Sequence, residues 1–360
     1  MAVRLKPVEE QVIVLTGASS GIGLATARAA ADRGAKLVLV SRNEDALQDV
    51  VREVEARGGQ AVAAPADVAN LEDLERVAQV ALERFGGFDT WVNNAATAVY
   101  GTVEQIPIED HRRIFEVNYW GVVNGSLIAA RHLRQRGGGA IINTGSVISD
   151  RAVILQGPYA ATKHAVKAFT DTLRMELERD GAPISVTLIK PSAIDTAFFE
   201  HARSYLDAPG IKNPPPAYDP ALVAKAILFA CEHQKRDIVV GFGGWAISAL
   251  GSVAPRLTDY ALELTGYEQQ VTDHPGRRQR RDNLYEPRED GSAHSALPGR
   301  AWTRQTSLFL EAQLHPVATV AALAGLGLAV GYFLRSESGD NRRHSGESRH
   351  ASAVAARRGS

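Results

Sequence analysis

The chain has 360 residues, and its 40 lysines and arginines nearly balance 41 aspartates and glutamates, for a formal net charge of -1 at pH 7. Balanced charge gives no global reason to expect nucleic acid or an acidic substrate as a partner, and the single cysteine excludes an internal disulfide and a thiolate-rich metal site. Because the N-terminus carries charges where a signal peptide needs an apolar stretch, we expect a cytoplasmic protein without a metal.

Short apolar runs of strand length alternate from Gln11 onward with longer stretches of helical period. The runs predict seven strands, at 12–16, 36–40, 61–64, 90–93, 140–143, 184–189 and 237–240. The helices predicted between them include 24–33, 44–57, 71–85 and 159–179. Each run is mostly apolar, as a strand covered on both faces must be, so the pattern predicts an α/β domain with a seven-stranded parallel sheet.

A glycine-rich turn joins the first predicted strand to the first helix. It reads Thr16-Gly17-Ala18-Ser19-Ser20-Gly21-Ile22-Gly23. Glycines allow a tight turn in which main-chain N–H groups approach a pyrophosphate at the positive end of the following helix. Since the turn lies between a strand and a helix, with a second strand following, we predict a dinucleotide site there.

The second predicted strand ends at Ser41 and Arg42, where the adenosine ribose of a dinucleotide would lie. A carboxylate there would accept from the 2′-hydroxyl of NAD(H), whereas a guanidinium can bind the 2′-phosphate of NADP(H) in a forked geometry. We therefore predict NADP(H). NAD(H) is the less favoured alternative, since Arg42 could also be an ordinary surface residue and Asp45 follows closely.

Tyr159 and Lys163 are four positions apart on a predicted helix, so both project from one face. Reduction of a carbonyl needs a proton donor at the oxygen, and bringing a tyrosine pKa from about 10 to neutrality requires about 4 kcal/mol. An ammonium about 4 Å away supplies roughly that much at an effective dielectric near 20. We expect Lys163 to lower the pKa of Tyr159, and Ser146 to lie at the ligand-binding edge of the sheet.

Together these motifs resemble those of the short-chain dehydrogenase/reductase family, in its compact single-domain form. The matching motifs, in the order and spacing of the family, are TGASSGIG, Asp67-Val68, Asn93-Asn94-Ala95-Ala96, Asn118, Ser146 and Tyr159-Ala-Ala-Thr-Lys163. The resemblance implies a doubly wound, Rossmann-like sheet. It implies cofactor contacts from Gly17, Ser19, Ser20, Gly21, Ile22, Gly23, Arg42, Asp67, Val68, Asn94, Ala95, Tyr159, Lys163, Pro191 and Thr196. It implies catalytic roles for Asn118, Ser146, Tyr159 and Lys163.

The resemblance also implies individual roles. Asp67 and Val68 would hold the adenine, Asn94 with Ala95 would support the cofactor, and Thr196 would meet the nicotinamide carboxamide. Asn118 would order a proton-relay water, Ser146 would hydrogen-bond the substrate oxygen, and Tyr159 would act as general acid and base. Two positions depart from the family pattern, since Ala96 and Ser192 stand where glycine is usual.

These features predict an NADP(H)-dependent oxidoreductase that interconverts a carbonyl and an alcohol. The aromatic residues of the substrate loop at 197–220 either favour an apolar substrate or pack the loop onto the body. The alternatives are an epimerase or dehydratase on the same fold, and a non-catalytic, membrane-tethered nucleotide-binding scaffold. A homo-oligomer is expected because the family forms them.

The C-terminal third lacks the alternation of predicted strands and helices. The catalytic domain is predicted to end near residue 255, and 256–311 is expected to be a polar extension or loosely ordered connector. Its basic run at 276–282 has no interleaved aromatics, so it predicts solvated surface and no nucleic-acid site. The apolar stretch 312–334 is a candidate membrane anchor, or alternatively a soluble helix, and the polar tail 335–360 is expected to be disordered.

Overall fold

The computed structural model describes residues 3–273, 282–288, 291–296, 303–325 and 328. It divides into two compact units, Met1–Leu310 and Glu311–Ser360. The predicted tail at 335–360, the end of the apolar stretch 312–334 and most of the basic run lie outside the described residues.

A seven-stranded parallel sheet forms the centre of the first unit. Its strands are β1 (Val12–Thr16), β2 (Lys36–Val40), β3 (Gln60–Ala63), β4 (Thr90–Asn93), β5 (Gly139–Thr144), β6 (Ile184–Pro191) and β7 (Asp237–Val240). They lie in the order β7-β6-β5-β4-β1-β2-β3. The chain starts at β1, extends to β3 and crosses back to β4, so the topological switch point lies between β1 and β4. The predicted α/β fold and its seven strands are confirmed.

The helices up to residue 232 connect the strands of the sheet, and the remaining helices follow its last strand. They are α1 (Gly21–Asp32), α2 (Glu44–Ala56), α3 (Leu71–Phe85), α4 (Ile108–Phe115), α5 (Gly121–Arg136), α6 (Gly157–Arg179), α7 (Pro220–Glu232), α8 (Phe242–Val253), α9 (Pro255–Gln270) and α10 (Leu308–Leu314). A π-helical turn joins α4 to α5. Two pairs of short strands lie outside the main sheet and involve the region of the predicted substrate loop.

Helix α3 shows why the sequence forms these elements. The Asn70 side chain caps its N-terminus by accepting from the Asp73 amide, an interaction worth about 1 kcal/mol. Its buried face carries Leu74, Val77 and Ala81 at helical spacing. The helix ends at Gly86, whose φ of 76° suits a left-handed C-cap.

The region after β7 is more ordered than the sequence indicates. Two further helices, α8 and α9, follow the last strand, and parts of the chain beyond them contact the body of the first unit. Leu284 is fully buried. Within the described ranges, these residues therefore pack against the body of the first unit.

No single helix in the described part of the chain is long and apolar enough to cross a bilayer. The helices Leu308–Leu314 and Pro316–Gly325 satisfy the criteria of length and composition only as a pair, bent by 116° at the break between them.

Candidate active site

A cavity of about 360 Å³ opens at the carboxyl edge of the sheet, where open α/β sheets bind ligands. The structure brings to this cavity nearly all of the site residues that the sequence predicts, from the glycine turn to Tyr159 and Thr196. Only Gly23 and Asn118, among those predicted residues, do not line it. Both contact residues that line it: Gly23 packs against Gly17, and Asn118 is bonded to Thr97.

The glycine turn leaves no room for side chains at its closest approach. A Cβ atom on Gly23 would lie 1.9 Å from the Gly17 carbonyl oxygen, and one on Gly17 would lie 2.9 Å from the Ala95 Cα. Gly17 also has a φ of 70°, in the left-handed region. The Asn94 side chain donates to the Thr16 carbonyl at 3.1 Å and so fixes the turn to the end of β4. This cradle fits the diphosphate of a dinucleotide, which needs main-chain N–H groups at close range.

Asp67 lies at the predicted adenine position and is already held by the protein. The Arg113 guanidinium donates to its carboxylate at 2.6 Å, and the Ala69 amide donates at 3.0 Å. Burial works against ionisation of this carboxyl, but these bonds outweigh it and lower its pKa. Arg113 therefore keeps Asp67 charged and oriented at the end of the site.

Tyr159, Lys163 and Ser146 all line the cavity and are nearly buried, with 8%, 2% and 7% exposure. Helix α6 presents the tyrosine and the lysine, and Ser146 follows β5 as the N-cap of a short 3₁₀ helix. The Lys163 ammonium donates to the Thr144 carbonyl at 2.9 Å and lies 5.6 Å from the centre of the Tyr159 ring.

Burial controls the protonation of both groups. It raises the pKa of Tyr159, which the hydrogen bond with Ser146 offsets only in part. It lowers the pKa of Lys163 to about 8. We expected Lys163 to lower the pKa of Tyr159. The protein's own groups do not lower it, because desolvation of the phenol dominates.

Asn118 is fully buried in the π-helical turn Glu116–Trp120. Its side-chain oxygen accepts from the Thr97 amide at 2.8 Å, and its nitrogen donates to the Thr97 carbonyl at 2.9 Å and the Thr162 hydroxyl at 3.2 Å. The amide thus links the loop after β4 to the helix that carries Tyr159. A π-turn is common at functional sites, because the inserted residue redirects a side chain.

The sequence did not reveal a buried polar network behind the site. The Asn93 side chain donates to the Asn143 side chain at 2.8 Å, which in turn donates to the Thr170 hydroxyl at 3.0 Å. The network ties β4 and β5 to α6, and each buried polar group in this chain of contacts has a partner. Asn93 belonged to a recognised motif, but its partner Asn143 lies 50 residues away, so no local signal identified this contact.

The part of the substrate-side wall that α8 and α9 form was also missed. Helices α8 and α9 contribute Ile247, Leu262, Gln269 and Gln270 to the cavity, together with Phe198 from the substrate loop. The Gln156 side chain donates to the Gln270 side chain at 2.5 Å and joins this wall to the start of α6. The apolar composition of residues 242–253 was the available signal.

Arg42 lies at the predicted ribose position and also lines the cavity. Its guanidinium donates to the main-chain carbonyl of Tyr285 at 2.8 Å and to that of Asn283. The C-terminal extension therefore reaches the adenosine end of the site.

Comparison with known proteins agrees with this geometry. The sequence profile of the short chain dehydrogenase family matches residues 11–206. The uncharacterized oxidoreductase YxnA of Bacillus subtilis is 44% identical over 324 residues, which is 90% of each chain. A match of this length extends over residues 282–296 as well as the catalytic domain.

Two solved structures share the fold. A short chain dehydrogenase/reductase from Burkholderia phymatum, in complex with NAD, has a TM-score of 0.62 and 28% identity, and the match covers 69% of this chain and 94% of that one. An alcohol dehydrogenase from the archaeon Thermococcus sibiricus, complexed with 5-hydroxy-NADP, has a TM-score of 0.56 and 28% identity, with 64% and 95% covered.

Proposed function

Because this chain belongs to the short-chain dehydrogenase family and is an oxidoreductase of that type, we propose that it interconverts a carbonyl and an alcohol on an apolar substrate with NADP(H). One observation carries the proposal. The cavity that contains the glycine turn also contains Ser146, Tyr159 and Lys163, so a proton donor lies beside the predicted dinucleotide.

NADP(H), when bound, supplies or accepts the hydride. Tyr159 provides the matching proton at the substrate oxygen, and its raised pKa keeps the hydroxyl protonated near neutral pH, which suits reduction of a carbonyl. Ser146 binds the same oxygen and positions it against the tyrosine. Because Ser146 and Tyr159 are nearly buried, both hydrogen bonds act in surroundings of lowered dielectric.

Lys163 has a second role in the proposal. Its ammonium carries a charge below a pKa of about 8 and is fixed by the Thr144 carbonyl. It stabilises negative charge on the phenol when the proton leaves, and it contacts the cofactor. Asn118 holds the neighbouring loop and orders a proton-relay water.

Arg42 supports NADP(H) as the cofactor, because a guanidinium stands where a 2′-phosphate would lie and the second strand ends without a carboxylate. One structural neighbour was solved with NAD and another with 5-hydroxy-NADP, so the fold accommodates both cofactor types. The roles of Asp67, Val68, Asn94, Ala95, Pro191 and Thr196 in cofactor binding belong to the same proposal.

The substrate side of the cavity supports an apolar substrate. Phe198, Phe199, Ile148, Ile247 and Leu262 line it. Apolar walls favour burial of hydrocarbon at about 25 cal/mol per Å². A few polar groups, Ser146 among them, orient the reacting oxygen.

A screen of purified protein tests this function. NADPH oxidation at 340 nm should be seen with aryl and long-chain ketones or aldehydes, and the kcat/KM should be at least about tenfold higher with NADPH than with NADH, since losing a charge-assisted contact costs about 1.5–3 kcal/mol. Small polar ketones of the same reactivity serve as the control series. Binding of NADPH without stoichiometric oxidation of any carbonyl would instead favour an epimerase, a dehydratase or a non-catalytic scaffold.

We include two properties of the whole chain in the proposal. The apolar stretch 312–334 attaches the protein to a membrane, and the catalytic domain, residues 1–255, works in the cytoplasm as a homo-oligomer. In cells expressing the full chain or residues 1–305, the full chain should sediment with membranes and resist extraction by high salt, whereas the shorter chain should not. Equal distribution of the two would contradict the membrane assignment.

A further inference from the structure

Residues 282–288 and 291–296 form a folded segment against the cavity, which we call the strap. One side of the strap contacts the adenosine end of the site. Besides the two bonds from Arg42, the Asn43 side chain donates to the Arg288 carbonyl at 2.6 Å. Pro287 and Arg288 themselves line the cavity.

The strap also contacts the glycine turn. The Gly21 amide donates to the Ser292 carbonyl at 3.0 Å, and the Gly291 amide donates to the Ser19 carbonyl at 2.9 Å. The main chain of the strap therefore lies beside the turn that is proposed to hold the diphosphate.

The other side of the strap is bound to α4 and the substrate loop. Asp282 pairs with Arg203 at 2.9 Å, and the Tyr285 hydroxyl donates to the buried Asp110 carboxylate at 2.9 Å. Glu200 accepts from the Ser295 hydroxyl at 2.8 Å. The strap thus bridges the two sides of the cavity.

Leu284 anchors the strap. Its side chain is fully buried in a cluster that includes Tyr100, Ile114 and Tyr159. The Asn283 side chain next to it accepts from the Thr97 hydroxyl at 2.7 Å, and Thr97 is held by Asn118. The anchor therefore contacts the same hydrophobic cluster and loop that support the proposed catalytic residues.

We propose that the strap is part of the dinucleotide site: it forms the outer wall of the adenosine half, and the cofactor leaves only when the strap detaches. The inference rests on the proposed function, since it takes the cofactor to be a nicotinamide dinucleotide. Arg42 is shared between the strap and the cofactor, because its guanidinium binds strap carbonyls at the position proposed for the 2′-phosphate. Release of the cofactor is thereby coupled to the contacts that the side chains of Asp282, Leu284 and Tyr285 make with the body of the protein.

The test loosens the strap without touching the cofactor. In the full chain, Asp282→Asn combined with Tyr285→Phe removes the charge pair with Arg203 and the hydroxyl bond to Asp110. Dissociation of NADPH, measured by stopped-flow displacement and fluorescence, should accelerate at least about tenfold, with a similar loss of affinity. The matched control, Asp49→Asn with Tyr260→Phe, changes an exposed aspartate and an exposed tyrosine outside the site and should dissociate at the wild-type rate.

Hydrogen exchange provides a second readout. Amides of the strap should exchange more slowly when NADPH is added to the wild type, and this protection should be weaker in the double variant. A dissociation rate within twofold of wild type in a folded double variant would overturn the proposal.

The measurements separate the inference from the proposed function. Both readouts measure NADPH binding and do not depend on turnover. Normal NADPH binding with no carbonyl turnover would therefore count against the proposed function. The dissociation rates of the variants would still decide whether the strap controls release. A wild-type chain that binds neither NADPH nor NADH would overturn both.

Discussion

Tyr159→Phe is expected to lower turnover by about a thousandfold, within the range measured for loss of a general acid. The affinity for NADPH should stay within about twofold, because the ring and its packing beside Phe198 are kept and only the hydroxyl is removed. Steady-state kinetics with a ketone from the screen gives kcat, and fluorescence titration gives the NADPH affinity separately.

Tyr100→Phe is the matched control for this variant. Tyr100 is fully buried in the same hydrophobic cluster, and its hydroxyl has no hydrogen-bond partner within the described structure. Its removal should leave kcat nearly unchanged. Equal loss of turnover in both variants would indicate a packing effect, and equal loss of turnover and NADPH affinity in Tyr159→Phe would refute the proposed proton transfer.

The pH dependence follows from the same two groups. Lys163 holds its proton below a pKa of about 8 and loses it above, whereas the raised pKa of Tyr159 keeps the hydroxyl protonated across that range. The wild-type rate of reduction should therefore fall as the pH rises through about 8. A rate that stays constant through this pH would show that the charge of Lys163 is not needed.

Gly23→Ala is expected to weaken NADPH binding by at least about a hundredfold. The new Cβ would lie 1.9 Å from the Gly17 carbonyl and 2.9 Å from the Asn94 side chain, so the turn that carries the diphosphate contacts must move. A displacement that loses about 3 kcal/mol of these contacts corresponds to that change in affinity. Fluorescence titration measures the affinity, and circular dichroism establishes that the variant is folded.

Gly325→Ala is a control for this substitution, since a Cβ there meets no atom of the described residues within 4 Å. It should bind NADPH as the wild type does. Wild-type affinity in folded Gly23→Ala would mean that the glycine turn does not hold the cofactor.

Much of the fold could be predicted because its signals are local. The runs 12–16, 36–40, 90–93 and 237–240 coincide with β1, β2, β4 and β7, since a strand buried on both faces must be continuously apolar. Helix α3 likewise coincides with its prediction at 71–85. The spacing of Tyr159 and Lys163 was also decisive, because four residues make one turn of a helix and place both side chains on one face.

The protonation of the site could not be predicted in the same way. The spacing of Tyr159 and Lys163 showed that they are neighbours, but the direction of each pKa depends on burial by residues distant in sequence. Asp67 is similar, since its partner Arg113 lies 46 residues away. The electrostatic environment is a property of the assembled cavity. The direction of each pKa shift depends on desolvation as much as on neighbouring charge.

The sequence by itself determined the sheet, the glycine turn and the motif residues that line part of the candidate site, because hydrophobic period, backbone freedom and helical spacing depend on residues close together in the chain. Only the tertiary structure decided that Asn283, Pro287 and Arg288, from the polar segment after α9, line the same cavity. Arg42 meets Asn283 and Tyr285 across 241 and 243 residues, and it binds their main-chain carbonyls. Every residue has such a carbonyl, so a contact of this kind leaves no pattern of side chains from which it could be predicted.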